Sequence, residues 1–203
     1  MIPFQIGKKS DGSVVTWDIC ILPNLFVSYQ TLEEFENFTT TILAEQAKKI
    51  NECLIISKRH FTNQIAINQE TFVYSEPEAG SIKSIKLAFT NPYKTLRKAI
   101  NKNAPLTRTV IVIDDIWQIV PKLKKGVASQ FKQLLNKGVK KGIHFIIGSS
   151  MPYRNLLLQL MIDRSEENKT GVINQLGAEL IFNIDGLIFF RERNNINFTT
   201  YYP

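Results

Sequence analysis

Residues 109–116 read TVIVIDDI: five β-branched residues in a row, two carboxylates, then an isoleucine. A strand with one wet face alternates polar and apolar residues, whereas this run does not alternate. That is the pattern of a strand covered on both sides, as in a parallel sheet, so a buried strand is expected over residues 109–113. Outward from it lie further apolar runs, NLFVS at 24–28, CLIIS at 53–57 and the segment 143–147. Between the first two, Leu32, Phe35, Phe38, Ile42 and Leu43 recur at helical spacing within residues 31–50. Strand-like runs alternating with helical ones argue for βαβ units. The fold class read this way is α/β, with a mainly parallel central sheet flanked by helices.

The rest of the chain fits that scheme with less contrast. Residues 58–90 hold short β-like pieces, IAI at 65–67 and TFVY at 71–74, expected to form an edge hairpin or insertion. Pro92 is expected to open a helix running to about residue 101, with a loop over 103–107. A lysine-rich helix is predicted over 128–137, closed by Gly138, then a helix over 155–162 and a late strand over 187–190. No repeat, low-complexity stretch or linker interrupts the 203 residues, which is a length suited to one core. Residues 1–203 therefore read as a single domain, and a start on folded-looking sequence suits one excised from a larger multidomain protein.

Composition narrows the function classes. No apolar run is long enough to cross a membrane as a helix, and the first residues lack the apolar core of a signal peptide. Two cysteines, Cys20 and Cys53, stand apart from each other and from any histidine. They read as small buried hydrophobes in a reducing compartment. His60 and His144 are isolated from other ligand types, and no metal site is expected. The formal charge of +7 admits nucleic acid, anionic lipid or an acidic protein as partner. Much of it sits in one stretch without acids: Lys122, Lys124, Lys125, Lys132, Lys137, Lys140 and Lys141. Val127, Phe131, Leu134, Leu135 and Val139 form the buried stripe there, which leaves the lysines on the exposed flank. That flank reads as a solvated face or as a docking surface for an acidic partner or a DNA backbone.

The two carboxylates of TVIVIDDI carry the chemical interest. In nucleotide-hydrolysing proteins an apolar strand delivers such an acid to the carboxyl edge of the sheet, where ligands bind. There the first acid, here Asp114, holds the magnesium of the nucleotide, and the second, Asp115, orients the attacking water. Any strand can also end in an acidic turn, with Asp115 capping the segment after it.

Several further pieces occur in a fixed order: Pro3, Phe4, Ile6, Gly7 and Gly12; then Leu22, Pro23 and Asn24 before LFV at 25–27; then Gly142, Ile143, His144 and finally Pro152. In these elements the chain resembles the FtsK/SpoIIIE family of hexameric motors along nearly its whole length. The resemblance implies a RecA-like P-loop fold. It also locates the departures. A phosphate loop reads GxxxxGK[ST], because glycines let backbone N–H groups face the phosphates and lysine reaches their charge. The corresponding segment is Tyr29, Gln30, Thr31, Leu32, Glu33, Glu34, Phe35 and Glu36. Both glycines are gone, Phe35 takes the lysine place and Glu36 the hydroxyl place. Thr31 and Glu34 have the spacing of a capping box, and Glu33, Glu34 and Glu36 set negative charge at a helix end that would otherwise attract anions. Where the family has a polar sensor and an arginine, Ser150 and Met151 stand, with Arg154 nearby.

Broken motifs of this kind are similar to those in the last domain of the membrane coupling ATPases of type VII secretion. That resemblance implies a non-hydrolysing module on the cytoplasmic side of a bacterial membrane protein. No cofactor is then expected, with ATP and magnesium only if the altered site still binds. The implied partners are other ATPase domains of the same chain, small helical secreted substrates and further copies of the full-length protein. The alternative is an ATP-binding DNA translocase of the FtsK/SpoIIIE type, with DNA as partner.

Overall fold

The computed structural model describes residues 3–9, 11–18, 24–45, 48, 50–61, 69–74, 78–101, 108–119, 123–150, 178–182, 188–192 and 199–201. The expected helix over 155–162, the IAI segment, Cys20, Lys122, Met151, Pro152 and Arg154 lie outside them.

A short antiparallel pair comes first, β1 (Pro3–Lys8) and β2 (Val14–Asp18). The chain then enters the main sheet with β3 (Asn24–Ser28), crosses through α1 (Leu32–Glu45) to β4 (Glu52–Ser57), and adds β5 (Gln69–Val73). A long helix, α2 (Glu78–Asn101), leads to β6 (Thr109–Ile113). After the single turn α3 (Ile116–Ile119) come α4 (Lys125–Gln133), β7 (Ile143–Ser149), β8 (Ala178–Phe182), β9 (Ile188–Glu192) and β10 (Thr199–Tyr201). The sheet order is β10-β9-β8-β3-β7-β6-β4-β5. Every pairing from β8 to β5 is parallel; β9 runs antiparallel to β8, and β10 to β9. The α/β class expected from the alternation is thus the fold observed.

The unbroken apolar runs have their physical cause in this order. β3, β6 and β7 are interior strands, and each is buried at every position. On one face, α1 and the β1–β2 pair cover Leu25, Val27, Ile55, Val110 and Val112, with Trp17 and Phe35 fully buried among them. On the other, α2 and α4 cover Phe26, Ile56, Ile111 and Phe145 through Phe89, Leu96 and Phe131. The Phe131 ring touches both Phe89 and Phe145, with centroids 4.9 Å and 5.6 Å away. Each fully buried phenylalanine or leucine here is worth about 1.5–3 kcal/mol.

One expectation is made specific and two are corrected. TFVY lies at the sheet edge, where β5 pairs parallel with β4 in the register Ile56↔Phe72 and so extends the main sheet; IAI, its partner in the expected hairpin, lies outside the described residues. Pro92 does not open a helix but lies inside α2. Its ring is buried, and Phe89 and Leu96 anchor the turns on either side, which offsets the roughly 3 kcal/mol that an interior proline costs. The lysine-rich helix starts earlier and ends differently. After α4 the chain makes a π turn over Leu134–Gly138 and a tight turn over Val139–Lys141, and the left-handed stop is Gly142 at φ 82°. Gly138 stays right-handed; its missing side chain makes room for Ile143, whose Cβ would lie 3.0 Å from an added methyl.

Candidate functional site

All the candidate residues that can be placed in the cleft lie along the carboxyl edge of the parallel strands. Asp114 and Asp115 follow β6, Ser57 and Lys58 close β4, Tyr74 follows β5, Ser149 and Ser150 end β7, and Tyr29 follows β3. Sheet order explains the convergence, because β3, β7, β6 and β4 are consecutive neighbours. In open α/β sheets this edge is where ligands bind.

The segment that corresponds to a phosphate loop has a different build. Only residues 29–31 separate the end of β3 from the first turn of α1. Three residues cannot encircle a phosphate group. The backbone is also occupied: the Tyr29 N–H donates to the Ser149 carbonyl at 3.0 Å. The expected capping box is present in both directions. The Glu34 N–H donates to Thr31 Oγ1 at 3.2 Å, and Glu34 Oε2 accepts from the N–H groups of Gln30 at 2.9 Å and Thr31 at 3.3 Å. The N–H groups of Gln30, Thr31 and Glu34 are thereby satisfied within the capping box.

Phe35 points inward and is fully buried. Its ring lies 5.2 Å from that of Tyr29 and stands edge-on to Phe61 at 6.5 Å. It also rests on Gly148 of β7, where a methyl group would sit 2.8 Å from the ring and collide with the Asp114 carbonyl oxygen. Gly148 is the residue that lets the aromatic group and the end of β6 close on each other. Gly148→Ala is expected to cost about 1–3 kcal/mol by overpacking, read as a lower urea midpoint with an unchanged slope.

Glu36 needs correction as part of a carboxylate cluster at the helix start. It is buried at 1% exposure, and its Oε2 pairs with the Arg59 guanidinium at 3.3 Å. Its charge is spent on Arg59, so Glu33 and Glu34 are the acids of the first turn.

The acidic pair is buried as well, Asp114 at 1% and Asp115 at 4% exposure. Asp114 Oδ2 accepts from Ser57 Oγ at 2.8 Å and from the Lys58 N–H at 2.6 Å, tying the end of β6 to the end of β4. Burial is the largest influence on this carboxyl and raises its pKa, against the lowering effect of those two donors. The Tyr74 hydroxyl lies toward the same carboxylate. Burial, reinforced by Asp114 and Asp115, holds the Tyr29 and Tyr74 phenols protonated far above their ordinary range. Asp115 Oδ2 accepts from Ser150 Oγ at 2.9 Å and from Gln118 Nε2 at 3.2 Å, and its carbonyl accepts from the Gln118 N–H. The sensor-like Ser150 therefore contacts the acid pair directly. Among the described residues no group of three or more His, Cys, Asp or Glu side chains could hold a metal ion.

At this edge the loop after β3 is three residues long, the N–H groups of Tyr29, Gln30 and Thr31 are bonded within the fold, and the Phe35 ring fills the space beside Gly148. Ser57, Lys58, Arg59, Phe61, Tyr74 and Gly148 were not singled out from the sequence. Their only signal is position just past or at the end of a strand, which gains meaning once strand order is known. The predicted partner lysines other than Lys122 run from Lys124, just before α4, to Lys141, just before β7, on the side of the sheet opposite α1. Cys53, the described cysteine, is buried in β4, and burial pushes its thiol up to about 12, which makes it inert.

No protein-family model matches the chain, and no curated protein does. Solved structures do. The cytoplasmic domain of the Thermomonospora curvata type VII secretion ATPase EccC superposes with a TM-score of 0.73 at 14% identity, over 99% of this chain and 28% of that one. ATPases 2 and 3 of the same EccC, in complex with a signal sequence peptide, give 0.68 at 14% identity over 99% and 40%. The conjugation coupling protein TcpA of pCW3, a monomer form with ATPγS, gives 0.71 at 10% identity over 99% and 66%. At these identities the likeness is one of fold: this chain has the α/β architecture of P-loop motor ATPases, and it spans 28–66% of the length of those chains.

Proposed function

We propose that this chain is a non-hydrolysing, pseudo-ATPase module of a secretion motor of the FtsK/SpoIIIE type, which engages protein substrates and regulates active ATPase domains beside it. The observation that carries the reading is Phe35. A fully buried ring packs where the phosphate-binding lysine of an active domain would stand, behind a helix start that caps itself. What remains of the magnesium-binding strand end is a structural knot: Asp114 and Asp115 link four neighbouring segments instead of facing a ligand.

The fold shared with EccC, and the small share of such chains that this one spans, support a place among serial ATPase domains. EccC ATPases 2 and 3 have been solved with a signal sequence peptide, which supports protein substrates as partners. In this reading the domain faces the cytoplasm in a membrane-anchored parent. Its contacts with a neighbouring motor bias that motor between conformations, and it works without cofactor.

The competing reading is an ATP-binding DNA translocase domain, the case for which is the basic flank. Two assays on the purified chain separate them: binding to purified small helical secreted proteins, and a mobility shift with duplex DNA across a salt series. The proposal expects capture of a secreted protein and no DNA shift at physiological salt. A DNA affinity that falls steeply with salt, without protein capture, overturns it.

A further inference from the structure

Charge is distributed on α2 as unevenly as on α4. From residue 83 to 101 α2 carries Lys83, Lys86, Lys94, Arg97 and Lys98 and no acid, and all five are exposed. Lys83, Lys86, Thr90, Lys94 and Arg97 are spaced by three or four residues, so they form one stripe along the helix. Its opposite side, with Ile85, Phe89 and Leu96, is in the core. α4 packs alongside α2: Thr90 Oγ donates to Gln130 Oε1 at 2.9 Å, and Tyr93 Oη reaches Gln133 Oε1 at 3.2 Å. Residues 123–141 bring six more lysines and again no acid. On α2, Lys83 with Lys86 and Lys94 with Arg97 and Lys98 are like charges one helical turn apart, at a cost of about 0.2–0.5 kcal/mol per pair.

Between the two helices runs a groove of about 270 Å³. Ile85, Leu123 and Val127 make its lining mainly apolar, while Lys86 and Lys124 stand at its rims. It is smaller than a cofactor or nucleotide pocket, which runs from about 300 to 1,000 Å³, and suits one or two side chains of a peptide. A phosphate backbone would use the lysines and leave the apolar floor idle. A lipid surface would need a protruding apolar ridge, whereas this one is concave.

We propose that the α2–α4 groove docks an acidic amphipathic helical segment of a partner protein, its apolar side chains in the groove and its carboxylates against the lysines on both rims. Complementary charge steers the encounter and sets the register, and the groove anchors the helix. The surface lies across the sheet from α1 and acts independently of whether the cleft beside Phe35 binds nucleotide.

Gly126 supplies the decisive variant. It is an exposed residue of α4 that lines the groove, and a side chain added there meets nothing within 4 Å. Gly126→Phe therefore fills the groove from the outside and leaves the core intact, which an unchanged unfolding midpoint confirms. The probes are three labelled synthetic helices about four turns long: one with leucines on one face and glutamates on the other, a twin with lysine for glutamate, and a twin with serine for leucine. Fluorescence anisotropy on the full chain should show binding of the first helix only. Gly126→Phe and the double variant Lys86→Glu, Lys124→Glu should each weaken it at least about tenfold. Equal binding of the serine twin would reduce the surface to a charge patch and overturn the proposal. So would binding that survives Gly126→Phe, or a duplex DNA or anionic vesicle that binds more tightly through the same lysines.

Discussion

Phe35→Ala is expected to destabilise the protein by about 3–5 kcal/mol, the range for truncating a fully buried phenylalanine. For a chain of this size that is roughly a 6–20 °C fall in melting temperature. The ring has no exposed surface, stacks on Tyr29 and Phe61, and is the surface against which Gly148 and the end of β6 are fitted. Removing it leaves a cavity bounded by the ends of β3, β7 and β6, which these strands cannot close without breaking their register. Phe35→Leu should recover much of the loss. The vacated space does not become a nucleotide site, because the capping box at Thr31 and Glu34 still occupies the helix start. A loss under about 1 kcal/mol would show that Phe35 is an incidental occupant of an otherwise adaptable cleft.

Asp114→Ala and Asp114→Asn should part company. Alanine leaves the Ser57 hydroxyl and the Lys58 N–H buried without an acceptor, at about 1–3 kcal/mol each. Asparagine keeps a carbonyl oxygen for both donors and removes a desolvated charge, so at neutral pH it should match or exceed the wild type. The sign of the pH dependence comes from the raised pKa. The folded state holds this proton to a higher pH than the unfolded state, whose carboxyl titrates near 3.8. From about that pH upward the folded form binds more protons, so the contribution of Asp114 to stability falls as pH rises. Urea midpoints from acidic to neutral pH, taken as wild type minus Asp114→Asn, isolate this slope. An Asp114→Asn variant as unstable as the alanine one, with magnesium stabilising only the wild type, would mean that the carboxylate is a working metal ligand.

The interior of the fold was legible in the sequence because burial on both faces removes polar residues from a strand, and TVIVI, NLFVS and CLIIS carry that imprint. The capping box was legible too, since Thr31 and Glu34 are three residues apart and act locally. The elements misread or left open involve partners distant in sequence. Whether TFVY turns back or joins β4 in parallel depends on α2 packing over it, which no local signal encodes. Pro92 obeys the local preference for a helix start less than it obeys the apolar face shared with Phe89 and Leu96. The cleft was half visible. Phe35 and Glu36 were seen as missing chemistry, but the Arg59 that neutralises Glu36, the Phe61 ring edge-on to Phe35 and the Ser57 that holds Asp114 come from the end of β4 and the residues after it. They meet only because β3, β7, β6 and β4 are neighbours in the sheet.

The central claim is that this cleft is closed to nucleotide. Isothermal titration of the purified chain with ATP and magnesium tests it most directly, with the same titration lacking magnesium as reference. The account predicts no saturable heat up to millimolar ATP and no difference between the two titrations. Magnesium-dependent binding with a micromolar dissociation constant would contradict it.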